Sequence, residues 1–126
     1  MRLGDLQVHL FQHDTPAPQF EHIAFEVDDF EAIYDRTKEL GSHDGTTHGH
    51  QLLALADGGI QLYLRDPAGN LVEIVCRSAD GLSEGLRSEI VNRMDKYPQT
   101  EEQRSAAPFS AATGRLNTPA ARLSGV

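Results

Sequence analysis

The sequence predicts an α+β domain, and three observations predict it. Residues 21–27 (EHIAFEV) alternate apolar and polar in the manner of a half-buried strand. Residues 29–40 carry apolar side chains at helical spacing. Three further strand-like runs follow, separated by strong turn signals. The order is therefore strand, helix, strand, strand, strand.

Each element rests on its own residues. In the first strand Ile23, Phe25 and Val27 share one face, and His22, Ala24 and Glu26 the other. Asp28 and Asp29 offer a helix cap; Phe30, Ile33, Tyr34, Thr37 and Leu40 form the stripe, and Gly41 provides the stop. Residues 42–50 form a polar loop rich in Gly, Thr and His. Residues 51–56 read as a strand, Asp57-Gly58-Gly59 as a hairpin turn, and residues 60–65 as the next strand. There Ile60, Leu62 and Leu64 oppose Gln61, Tyr63 and Arg65. Asp66-Pro67-Ala68-Gly69-Asn70 is a tight turn, in which Pro presets φ and Gly permits a positive one. Residues 71–77 form the last strand.

Outside this unit, residues 6–12 (LQVHLFQ) predict a short strand, joined to residue 21 by a connector containing Pro16 and Pro18. A single helix is expected over residues 83–96, capped by Ser83, with Leu86, Ile90, Val91 and Met94 as its apolar stripe. Residues 101–126 are rich in Ala, Ser, Thr, Pro and Gly and are expected to be largely disordered.

Composition narrows the function. The chain has 126 residues, a size that suits one small domain, and a net charge of −8. Phosphate binding needs clustered Lys and Arg, so nucleic acid is not the expected partner. No apolar run reaches the roughly 18 residues that cross a membrane, and the first residues lack the basic start and apolar core of a signal peptide. The expected location is the cytoplasm. Cys76 is the single cysteine, which leaves His, Asp and Glu as the side chains able to hold a metal.

Glu73 is the most informative of these. On its strand Leu71, Glu73 and Val75 share one face and Val72, Ile74 and Cys76 the other, so the strand is expected to be central and covered. A buried carboxylate is costly unless it is paired, hydrogen-bonded or bound to a metal. The competing assignment is a Glu at a solvated edge or in an ion pair with Arg65. His22 poses the same choice between ligand and hydrogen-bonded structural residue. Tyr63 either points beside these residues or is an ordinary strand tyrosine. His43, His48 and His50 read as members of a polar loop, with a lid over the site as the alternative.

Two segments together carry a resemblance. Residues 22–29 (HIAFEVDD), followed by a helix ending in Leu40-Gly41 and by residues 63–74 (YLRDPAGNLVEI), resemble a module of the vicinal-oxygen-chelate superfamily, which includes glyoxalases, bleomycin-resistance proteins and extradiol dioxygenases. The resemblance covers roughly residues 6–77. It implies a βαβββ module with a mixed, curved sheet and one packed helix. It divides the chain into residues 1–20, the last strand of a truncated first module plus connector; 21–80, the module; 81–98, a C-terminal helix; and 99–126, the low-complexity tail.

The resemblance also implies roles. Family members pair two modules around a metal held by first and last strands, which makes His22 and Glu73 ligands and puts His9 where a preceding module would place its own. Such a two-His, one-carboxylate set leaves positions open and suits Fe, Mn, Ni or Zn. Glu73 and Tyr63 are the catalytic candidates, and Gln61, Tyr63 and Arg65 the substrate contacts. The implied function is a metal-dependent lyase, isomerase or dioxygenase acting on a small molecule with adjacent oxygens. The alternative is a metal-free, drug-binding protein of the bleomycin-resistance kind; a third is a fragment that needs a partner chain. One module alone would leave sheet edges and an apolar face open, so a homodimer completing the site is the expected assembly.

Overall fold

A computed structural model describes residues 2–98 and 100–102 of the chain. The low-complexity tail expected over residues 99–126 lies, but for residues 100–102, outside them.

The elements run β1 (Arg2–Leu3), β2 (Leu6–Gln7), β3 (His22–Glu26), α1 (Phe30–Glu39), β4 (Leu52–Ala54), β5 (Ile60–Arg65), β6 (Leu71–Cys76), α2 (Glu84–Glu89), β7 (Val91–Asn92) and α3 (Arg93–Lys96). β3, α1, β4, β5 and β6 form the βαβββ order in a mixed α+β fold. The principal sheet has the order β3-β6-β5-β4-β7. β3 runs parallel to β6, β5 antiparallel to both of its neighbours, and β7 parallel to β4.

Helix α1 forms because its ends are satisfied and one face is apolar. Asp29 accepts from the Ala32 amide at 3.3 Å. At the far end the Gly41 amide reaches the Lys38 carbonyl and the Ser42 amide that of Thr37, a paired closure that needs the left-handed φ of +68° at Gly41. Phe30 and Tyr34, one turn apart, are buried against the sheet with Leu52, Ile60, Leu62, Leu64, Ile74, Cys76 and Leu86. Each fully buried aliphatic side chain contributes roughly 1.5–3 kcal/mol. The Tyr34 hydroxyl donates to Glu89, which ties α1 to α2.

Two elements depart from expectation. The strand foreseen over residues 6–12 is paired only at Leu6–Gln7, in a small hairpin with β1. The arm after Gln7 joins no strand pairing among the described residues, and Leu10 and Phe11 are exposed. The single helix foreseen over residues 83–96 is broken. Ile90 turns extended (ψ 129°), β7 pairs with β4, and Asn92 then caps α3 by accepting from the Met94 amide at 2.9 Å. Pairing covers the edge of β4 and packs Val91 on Leu53, Tyr63 and Leu71, a gain that outweighs continuing the helix.

The sheet face opposite α1 is where the polar side chains gather. It is partly walled by the loop over residues 42–51, and one side chain anchors that wall. Arg65 donates to Asp44 (2.9 Å), Thr47 (2.9 Å) and the carbonyls of Pro18 (3.2 Å), Gln19 (2.7 Å) and Gly69 (2.9 Å). Burial penalises the Asp44 charge, but hydrogen bonds from Thr47 and Thr46 outweigh that and hold its carboxyl well below the usual range. Arg65→Ala strips these groups of a shared donor and leaves Asp44 without its cation. It is expected to cost roughly 3 kcal/mol in urea unfolding, with hydrogen exchange rising first in residues 42–51.

Candidate functional site

The cross-strand register assembles the site. Tyr63 on β5 stands opposite Glu73 on β6, and on the other side of β6 the parallel strand β3 sets Ala24 beside Glu73 and His22 beside Leu71. Side chains alternate along a strand, so His22, Glu73, Gln61 and Tyr63 emerge on one face.

Glu73 lies inside the sheet at 6% exposure. Its Oε1 accepts from Gln61 Nε2 at 2.6 Å, and its Oε2 lies 2.8 Å from His22 Nε2. The His22 Nδ1 lies 2.8 Å from the Phe20 carbonyl oxygen. A carbonyl only accepts, so Nδ1 carries a proton and Nε2 is the nitrogen turned to the carboxylate. A lone pair facing a carboxylate oxygen at this distance would be repulsive. A proton shared by the ring and the carboxyl, or a metal ion, has to bridge the two. A ring whose other N–H is fixed on a backbone carbonyl is also the usual state of a metal-bound histidine. The His22–Glu73 pair therefore fits a divalent ion.

The set does not extend to three within one chain. Among the described residues no group of three His, Cys, Asp or Glu side chains is placed to hold a metal ion. His9 lies in the exposed segment after β2, with its ring 6.4 Å from that of Phe11. No hydrogen bond, ion pair or ring contact joins it to His22 or Glu73 among the described residues.

Tyr63 is buried, not half-exposed, and Gln61 is buried beside it. Burial and the nearby Glu73 carboxylate push the Tyr63 phenol upward, against the opposing pull of Arg93, so it keeps its proton at neutral pH. Arg65 shares the face in register but spends its donors on Asp44, Thr47, Gly69 and the connector, and among the described residues no hydrogen bond or ion pair joins its side chain to Glu73 or Tyr63. The ion pair with Glu73 that the sequence left open belongs instead to Asp44.

Sequence reasoning missed one contributor, Arg93, and reached the other, His48, only through its alternative of a lid over the site. Arg93, the first residue of α3, donates through Nη1 to Gln61 Oε1 (2.6 Å) and to the Tyr63 hydroxyl (3.0 Å). Its signal was the Val91-Asn92 pair, a strand former followed by a helix cap, inside a stretch read as one helix. His48, from the polar loop, lies over Tyr63 with ring centroids 4.2 Å apart and faces the His22 ring at 6.2 Å. Burial and the neighbouring Arg93 and His22 keep it neutral, and its Nε2 is buried with no hydrogen-bond partner among the described residues. The loop is thus a wall of the site. His43 instead packs on Tyr34 and meets the Tyr34 carbonyl, and His50 meets the backbone of Leu52.

Gln61 is the residue whose loss should expose this arrangement. Gln61→Leu leaves Glu73 Oε1 without a donor inside the sheet and removes the acceptor of Arg93. A loss of roughly 2 kcal/mol is expected in chemical denaturation, against well under 1 kcal/mol for Gln61→Glu,Glu73→Gln, which exchanges donor and acceptor.

Comparison with known proteins adds one match. The model of the Glyoxalase/Bleomycin resistance protein/Dioxygenase superfamily matches residues 4–74, more than half of the chain. Searches of curated proteins and of solved structures returned no match.

Proposed function

The chain belongs to the Glyoxalase/Bleomycin resistance protein/Dioxygenase superfamily, and from that premise we propose that it is a metal-dependent enzyme in which His22 and Glu73 hold a divalent ion and the substrate is a small molecule with two adjacent oxygens. The observation that carries this is the 2.8 Å approach of His22 Nε2 to a buried carboxylate oxygen, with Nδ1 committed to a carbonyl. Fe, Mn, Ni and Zn all suit an N/O donor pair of this kind. When bound, such an ion supplies Lewis acidity toward a developing oxyanion, the chemistry common to glyoxalase-type isomerisation and extradiol-type ring opening.

The chain's own residues have distinct parts in this scheme. Phe20 fixes the His22 ring through its carbonyl, and Gln61 fixes the Glu73 carboxylate. Tyr63 retains its proton and directs it toward Gln61 Oε1 across a long 3.4 Å contact, so it can turn to a ligand oxygen instead. The loop carrying His48 keeps water from the Tyr63 ring.

A second copy of the chain completes the site in this proposal. β3 is an edge strand of the sheet, and Leu6 (59%), Leu10 (76%), Phe11 (85%), Phe20 (58%) and Ile23 (56%) are exposed on it or on the arm before it. So much apolar surface beside an open strand edge favours association. The same arm carries His9, which a partner could deliver as a third ligand.

Two experiments test this. Metal-free protein titrated calorimetrically with Mn(II), Fe(II), Ni(II) and Zn(II) should take up one ion per site. His22→Ala and Glu73→Gln should each weaken binding by about a hundredfold or more. A folded wild type that binds none of the four overturns the metal-dependent proposal and leaves metal-free ligand binding in its place. For the assembly, sedimentation of the wild type should give a dimer, and Phe11→Asp with Ile23→Glu a folded monomer; a wild-type monomer at micromolar concentration overturns it.

A further inference from the structure

Arg93 is a partly buried cation with unused bonding capacity. Its Nη1 is committed to two uncharged partners, Gln61 Oε1 and the Tyr63 hydroxyl. The aromatic ring of Tyr97 lies 5.9 Å from the guanidinium carbon. Among the described residues no carboxylate forms an ion pair with it, and its Nε and Nη2 hydrogens have no acceptor. The guanidinium fork is built to donate two parallel hydrogen bonds to one oxyanion. Here one edge of the fork holds the protein and the other is open.

We infer that Arg93 binds a carboxylate of the small molecule this face accepts, so that the ligand is an organic acid. The position is fixed by the fold: β7 pins Val91 to Leu53, Asn92 caps α3, and the next residue leans over Gln61 and Tyr63. Gln61 links the two ends of the site, since it accepts from Arg93 through Oε1 and donates to Glu73 through Nε2. A ligand carboxylate on Arg93 lies at the end of the Arg93–Gln61–Glu73 chain, beside the Tyr63 hydroxyl that Nη1 also contacts. Glu73 stands one residue away, and its charge favours a monoanionic carboxylate over a doubly charged phosphate.

This inference rests on His22 and Glu73 marking the ligand face, and its test is kept apart from the metal. Lactate, a 2-hydroxy acid, and lactamide, its neutral isostere, are titrated into ¹⁵N-labelled protein with and without one equivalent of Zn(II). The wild type should prefer lactate by about tenfold, and the Arg93 Nε–H resonance should move with lactate and not with lactamide. In the metal-free state Arg93→Gln should bind the two equally, and Arg93→Lys should keep part of the preference, because a point charge replaces the fork. A role limited to holding Gln61 and Tyr63 would weaken both ligands alike in Arg93→Gln and leave the preference intact, which overturns the inference. So does a metal-free wild type that shows no preference. Failure to bind Zn(II) alone counts against the metal and not against Arg93.

Discussion

A carboxylate inside a sheet has to be answered by the side chains its neighbours present, and most of the polar face follows from that condition at Glu73. An ionised group withdrawn from water costs several kcal/mol unless it is compensated. β6 has neighbours on both sides, so water cannot reach Glu73 along the sheet. Compensation comes from two directions: Gln61 on β5 donates to one oxygen, and His22 on β3 faces the other. Neither is adjacent to Glu73 in sequence. One antiparallel and one parallel pairing bring them together, and a one-residue slip of either strand would send its side chain into the apolar core.

The two faces of the sheet are held by different physics. Against α1 the contacts are apolar and close-packed, so the stability they carry is sensitive to volume but asks for no directed bonds. On the other face, Leu53, Tyr63 and Leu71 form a small apolar floor, and the polar side chains stand around it. The wall over them is secured by hydrogen bonds, chiefly through Arg65 and Asp44. An arginine that joins a loop, a turn and a connector by directed bonds fixes their relative positions more narrowly than apolar packing would. The site is thereby framed by a rigid sheet beneath and a polar clamp at one side.

The segment after the module finishes the frame. β7 is only two residues long, yet it covers the edge of β4, packs Val91 on the floor and turns Arg93 inward. At the opposite edge nothing comparable covers β3 among the described residues, and the arm that precedes it is apolar and exposed. One edge of the sheet is closed by the chain itself and the other is open. That asymmetry leaves the arm and β3 as the exposed apolar side of the sheet.

The local periodicities of the sequence determined a good deal by themselves. Alternation at residues 60–65 and 71–76, the Asp29 cap with the Phe30 and Tyr34 stripe, and the Gly41, Gly58 and Gly69 turns each express a short-range rule, and each is realised where it was read. The superfamily was legible from residues 22–29 and 63–74 together. The tertiary structure decided the rest. It alone could show that Arg65 turns to Asp44 and not to Glu73, because the choice depends on where the loop over residues 42–51 folds. It alone could break the stretch at residues 83–96, since the helical stripe there is outweighed by an edge of β4 more than thirty residues away. Arg93 and His48 entered the site for the same reason: both owe their places to long-range pairing and packing, which the local pattern does not decide.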